Sequence, residues 1–306
     1  MQTTLNSTTT FEGLGLHTGK PVSVELHPAA PDAGIVFHRL DLADGVAVLP
    51  ALWDRVTVSP LNTRLSNDDG ITVSTIEHVM AALAGCGVHN AIVAVNGPEL
   101  PIMDGSSAAF VRGILDAGVC ETGVPLKAIE ILKPVHVEVG DAWASLTPAT
   151  SLQIDFEIDF ADKAIGQQSK TLNLANGTFV RELCDSRTFC RQSDVDAMHA
   201  NGMALGGSLE NAVVVDGDAI LTPGGLRHED EAVRHKMLDA LGDLYTAGAP
   251  ILGRYRGVRS GHAVTNALLR ALFADDSAWR WVVCDAQVAA RLPGVGVTKA
   301  DLHAVA

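Results

Sequence analysis

The chain has 306 residues, 47% of them apolar, enough for one large or two ordinary domains around a substantial core. Only 19% are charged and the formal net charge is −14. That balance excludes a nucleic-acid face, because phosphate backbones are met by basic footprints; a small anionic ligand held by local Lys and Arg stays open. The five cysteines, Cys86, Cys120, Cys184, Cys190 and Cys284, form no Cys-x-x-Cys pair, as expected of a reduced cytoplasmic protein. The start, MQTTLNSTTTFEG, has neither the basic residues nor the apolar run of a signal peptide. The longest apolar region, residues 79–95, is broken by Gly85, Gly87, His89 and Asn90, so no membrane span is expected.

Residues 1–60 read as short strands and turns. Val22, Val24 and Leu26 alternate with Ser23, Glu25 and His27 in the pattern of a half-buried strand. The preceding GLGLHTG lacks the helix and the GK[ST] ending of a phosphate loop, which leaves a turn between strands or a loop that approaches a ligand. Residues 74–84, STIEHVMAALA, read as a helix. Ser74 and Glu77 match a capping box, and Ile76, Val79, Met80 and Leu83 form a core stripe. Glu77 and His78 lie off that stripe beside small alanines; they are either a cap and a surface residue or part of a site.

Residues 87–95 follow as a strand, 97–105 as a rigid loop, and 106–117 as a helix ended by Gly118. Residues 121–125 look like a linker, which divides the chain into 1–125 and 126–306. The second part opens with strands at 128–132, 135–139, 143–146 and 152–160. Short helices near 179–184 and 194–200 and a strand at 211–215 come next, and a last helix spans about 264–273. Strands followed by a helix with a key histidine occur in both parts. The expected fold is α+β, two similar domains that each layer a sheet on helices, with the site at their interface.

The stretch 227–245, RHEDEAVRHKMLDALGDLY, placed on a helix gathers Val233, Met237, Ala240, Leu241 and Leu244 on one side. His235, Asp239 and Asp243 fall at i, i+4 steps on the other. An imidazole and a carboxylate one turn apart can share a metal ion, though a solvated polar face has the same pattern. A catalytic zinc takes three protein ligands and keeps one position open. His78 is the candidate third ligand because Glu77 beside it can serve as base. His262, after Gly261, is a second titrating group that Asp243 could hold charged. The H-E-x-x-H pattern of metalloproteases is absent.

The blocks STIEHVMAALAG, PELPIMDGS, DSRTF, LGGSLENAVVVD, RHEDEAVRHKMLDALGDLY and SGHAVTN, in this order, resemble the UDP-3-O-acyl-N-acetylglucosamine deacetylase family, the zinc enzymes of the committed step of lipid A synthesis. The resemblance runs from GLHTGK to the WRWV segment. It implies Zn²⁺ on His78, His235 and Asp239, with Glu77 as general base. It implies His262 as the cation that stabilises the oxyanion and protonates the leaving amine, Asp243 as its partner, and Thr188 as an oxyanion donor. Lys236 is expected on the nucleotide diphosphate, Asp159 and Phe160 near the nucleotide, and Phe189 along an acyl-chain passage. Met198, Met203, Ala204, Leu205 and Val214 are its expected walls, with Gly206 and Gly207 leaving room. The implied partner is an acylated UDP-sugar, the implied location the cytoplasm; oligomeric order is not fixed, and a monomer is compatible with it.

The chain departs from the family at three places. Cys190 and Arg191 stand where many members have Gly-Phe, Asn62 where some have Cys, and Ala142 where some have Lys. The first alters the rim of the passage or the nucleotide entrance, and the last redistributes nucleotide contacts. Two other readings stay open: a zinc hydrolase of a different amide or ester, and a binding protein with a closed, structural metal.

Overall fold

The computed structural model describes residues 1–57, 59 and 61–305. The early alternation builds a five-stranded sheet in the order Thr9–Leu14, Pro21–Pro28, Ala91–Val95, Ile35–Arg39, Ala47–Pro50. Val22, Val24 and Leu26 are buried while their neighbours in the strand are half-buried, as a period of two on a one-sided sheet requires. A seven-stranded sheet forms from residues 127–283. Its middle strand, Ile251–Val258, runs antiparallel to Ala142–Pro148 on one side. On the other it runs parallel, first to Lys127–Ile131 and then to Gln153–Asp159. Three small sheets complete the strands. The fold is α+β.

The helices are α1 (Glu77–Gly85), α2 (Ala108–Ala117), α3 (Thr178–Glu182), α4 (Gln192–Ala200), α5 (Glu231–Tyr245), α6 (His262–Phe273) and α7 (Ala286–Ala289). None of the described helices is long and apolar enough to cross a membrane. One buried cluster takes in side chains from both large sheets and from α1 and α5. Every residue of α1 is buried, polar Glu77 and His78 included. It packs against α5. The two helices meet almost backbone to backbone at Gly242, where a Cβ would sit 2.1 Å from the Glu77 carbonyl oxygen. Alanine would normally favour a helix over glycine by about 1 kcal/mol. Here no side chain fits, because the obstacle is main chain that cannot rotate aside.

Several boundaries differ from the sequence expectation. The capping box does not form. Ser74 ends the strand Thr72–Ser74, its hydroxyl bonds the Pro98 carbonyl at 3.2 Å, and Thr75 at φ 59° turns the chain into α1. The Glu77 carboxylate instead accepts the Thr63 N–H at 2.9 Å, a tertiary partner in place of a local one. Helix α5 begins at Glu231 rather than Arg227. The Glu231 carboxylate is held by the Arg187 guanidinium and by the N–H groups of Arg187 and Arg227. The strand expected from Gly87 begins at Ala91. The segment read as a linker is tied down, since Glu121 pairs with Thr3 and the Val124 carbonyl accepts the Gln2 N–H at 2.8 Å.

Candidate metal centre

Packing α1 on α5 brings His78, His235 and Asp239 together, each no more than 5% exposed. His235 Nε2 lies 3.3 Å from Asp239 Oδ1, and His78 Nε2 lies 3.8 Å from the same oxygen. The two rings stand nearly perpendicular at 88°, with centroids 5.1 Å apart. His235 Nδ1 lies 3.0 Å from the Ser186 carbonyl, which can only accept; the proton is therefore on Nδ1 and the Nε2 lone pair faces Asp239. Asp239 Oδ2 accepts from Lys236 Nζ at 3.1 Å, but Oδ1 has no hydrogen-bond partner among the described residues.

The charge states sharpen this into a test for a cation. Burial, then the neighbouring His235, pushes His78 down to about 3. Burial also lowers His235 against the pull of Asp239. Burial alone would raise Asp239, but His235 and Lys236 overcome it and hold the carboxylate ionised. So these are not ordinary ion pairs: His235 turns a neutral imidazole lone pair toward a buried carboxylate oxygen, and neutral His78 brings Nε2 to within 3.8 Å of the same oxygen. Leaving a buried charge so poorly paired costs on the order of several kcal/mol. A divalent cation removes the conflict, and two neutral imidazoles with one carboxylate are borderline donors that suit it. Tetrahedral bonds of about 2.0–2.1 Å separate donor atoms by roughly 3.3–3.4 Å; the His235–Asp239 spacing of 3.3 Å matches this, and the His78–Asp239 spacing of 3.8 Å is somewhat wider. Among the described residues this is the one such cluster, and all its donor atoms lie within 4.8 Å of one another.

A second pair adjoins it. His262 opens α6, and its Nδ1 lies 2.9 Å from Asp243 Oδ2. Burial would lower His262, but the Asp243 carboxylate, its hydrogen bond and Glu77 together push it up to about 9. Glu77 Oε1 lies 4.0 Å from His262 Nε2. Burial pushes Glu77 up to about 7 against the pull of His262. A carboxyl and an imidazole, both pushed up from their usual ranges, thus face each other next to the three donors.

An apolar cavity of 370 Å³ opens beside the cluster, lined among others by Leu16, Thr188, Phe189, Met198 and Val214. Phe189 joins the two regions, with its ring centroid 6.4 Å from that of His235 and 5.4 Å from that of Phe160, both edge to face. Of the expected walls, Ala204 and Gly207 line the cavity as well. Met203 and Leu205 do not; they are 39% and 58% exposed, and Gly206 is packed against the Gly15 carbonyl. Cys190 also lines the cavity, whereas Arg191 turns away to a bidentate pair with Asp194. Asp159 is paired with Arg259. Asn62 is buried and donates to Thr75 Oγ1 at 3.3 Å. Sequence reasoning passed over Thr63, which touches Glu77, Asp243 and His262; nothing in PLNTRL marks it.

Three donors that could hold a metal ion, beside a facing carboxyl and imidazole, make up a site of the kind a metal-dependent hydrolase needs. The family model described as LpxC, UDP-3-O-acyl N-acetylglycosamine deacetylase, matches residues 2–274. A UDP-3-O-acyl-N-acetylglucosamine deacetylase of Phenylobacterium zucineum (strain HLK1) is 50% identical over 282 residues, covering 91% of this chain and 95% of that protein. One from Shewanella sp. (strain W3-18-1) is 46% identical, covering 92% of each, and one from Shewanella baltica (strain OS155) is 44% identical, covering 97% and 98%. The chain belongs to the UDP-3-O-acyl-N-acetylglucosamine deacetylase family.

Proposed function

We propose that this protein hydrolyses the acetamide of UDP-3-O-acyl-N-acetylglucosamine, releasing acetate, in the committed step of lipid A synthesis, and that it works with zinc in the cytoplasm. The observation that carries the reading is the meeting of Glu77 and His78 on α1 with His235 and Asp239 on α5. His78, His235 and Asp239 would hold the ion. When bound, zinc supplies Lewis-acid polarisation of the amide carbonyl and makes water more acidic.

The remaining chemistry belongs to side chains. Glu77, fixed by the Thr63 N–H, takes a proton from the water that attacks the acetamide carbonyl carbon. His262, kept cationic by Asp243, faces the charge that develops on the carbonyl oxygen, and the Thr188 hydroxyl donates to the same oxygen. As the carbon–nitrogen bond breaks, His262 gives its Nε2 proton to the departing amine. Phe189 and the 370 Å³ cavity take the acyl chain. Asp159 and Phe160 lie toward the nucleotide. Lys236, which bonds Asp239 in the free protein, contacts the diphosphate.

We also propose residues 1–125 and 126–306 as the two domains. Among the described residues no named strand pairs across that boundary, and the site draws on both sides of it. One chain supplies every proposed residue, which fits a monomer.

The test is turnover of UDP-3-O-acyl-N-acetylglucosamine substrates of graded acyl length. Acetate release with a clear optimum in chain length is expected, and a chain that ignores the UDP-sugar but cleaves unrelated amides would overturn the substrate.

A further inference from the structure

Thr63 has no part in the reaction beyond its amide, yet it is only 3% exposed and commits every polar group it has to the site. Its N–H donates to Glu77 Oε2 at 2.9 Å, and its carbonyl accepts the N–H of Ile76, the residue before α1, at 3.3 Å. Its hydroxyl donates to Asp243 Oδ1 and lies 3.1 Å from His262 Nδ1. A threonine hydroxyl carries one proton, and an ionised carboxylate only accepts. The proton is therefore given to Asp243, and the hydroxyl oxygen meets His262 as an acceptor. His262 Nδ1 then faces two acceptors, the other being Asp243 Oδ2 at 2.9 Å. Only the tautomer with its proton on Nδ1 satisfies both. Nε2 is left as the atom that faces Glu77 across 4.0 Å.

We propose that Thr63 is a positioning residue that couples Glu77 to the Asp243–His262 pair. Its amide sets the carboxylate, and its hydroxyl, a second acceptor beside Asp243 Oδ2, helps hold the Nδ1 proton so that Nε2 is the nitrogen that exchanges a proton in the site. This rests on the amidohydrolase reading above. One residue next to the strand Arg64–Ser66 thereby ties a group on α1 to groups on α5 and α6. The distance between proton acceptor and proton donor is set by one short span of main chain and one hydroxyl.

Thr63→Val keeps the amide and the shape and removes the hydroxyl, while Thr63→Ser keeps the hydroxyl. In the metal-loaded enzyme, kcat of the valine variant is expected to fall roughly tenfold to a hundredfold, the scale of outer-layer hydrogen bonds to working histidines. KM should stay within about twofold, since Thr63 meets no substrate, and serine should restore most of the loss. Wild-type kcat in T63V, or a serine variant as slow as the valine one, overturns the proposal. A second readout needs neither turnover nor metal. In the metal-free wild-type chain with nitrogen-15 histidine, neutral His262 is expected as the Nδ1–H tautomer, and the Nε2–H tautomer overturns the proposal even if T63V does not fold. A wild type that fails to deacetylate the UDP-sugar sinks the amidohydrolase reading, and an Nε2–H tautomer would still overturn the proposal on Thr63.

Discussion

Glu77→Gln is expected to lower kcat by about 10²–10⁴, the usual contribution of a positioned general base. Glutamine keeps the size of the side chain and an oxygen for the Thr63 N–H, so the packing of α1 on α5 should survive. What it loses is basicity. The carboxyl is pushed up to about 7 by burial, which puts its proton affinity near the working pH, where a base transfers protons well. KM should change little, because the carboxylate is proposed to act on water rather than to bind substrate. Metal content should also be retained, since Glu77 is not one of the three donors. Steady-state kinetics with metal analysis of the same sample checks this. A variant within about threefold of wild type would remove Glu77 from the base role.

The second large effect concerns His262. It is proposed to work as a cation, so activity should be present below its value of about 9 and lost as the pH rises through it. Glu77 must be ionised, so activity should fall as the pH drops through the Glu77 value, which sits at about 7 in the metal-free chain. A nearby divalent cation favours the carboxylate and carries this acid limb lower. Asp243→Asn removes the charge that holds the His262 proton, while burial, which opposes it, remains. The basic limb of kcat against pH should then move down by about two units. His262→Ala should abolish that limb and lower kcat by about 10²–10³. An unmoved basic limb in Asp243→Asn would show that another group sets it.

Much of the candidate site was legible because helical spacing is a local property. The i, i+4 run of His235, Asp239 and Asp243 and the apolar side of 233–244 follow from residue order alone, and both hold in α5. The start of α1 was misread because the capping box is a local rule overruled by distant partners: Thr63 for Glu77, and Pro98 for Ser74. The central strand Ile251–Val258 escaped because Gly253, Arg254, Arg256 and Gly257 dilute its apolar signal. Only in the fold does Gly253 make sense, where a Cβ would lie 2.7 Å from Ile131. Gln167–Asn173 is an edge strand whose exposed and half-buried residues alternate with little apolar content. Thr63 was invisible for a plainer reason: its partners lie up to 199 positions away.

That α1 and α5 share one ion is best tested by metal analysis of the purified chain and of His78→Ala and His235→Ala. The wild type should carry about one divalent ion per chain, as a three-ligand site predicts. Both variants should lose it together, although the two histidines sit on helices far apart in sequence. Retention of the full equivalent by His78→Ala, with loss only in His235→Ala, would contradict a site built across the two helices.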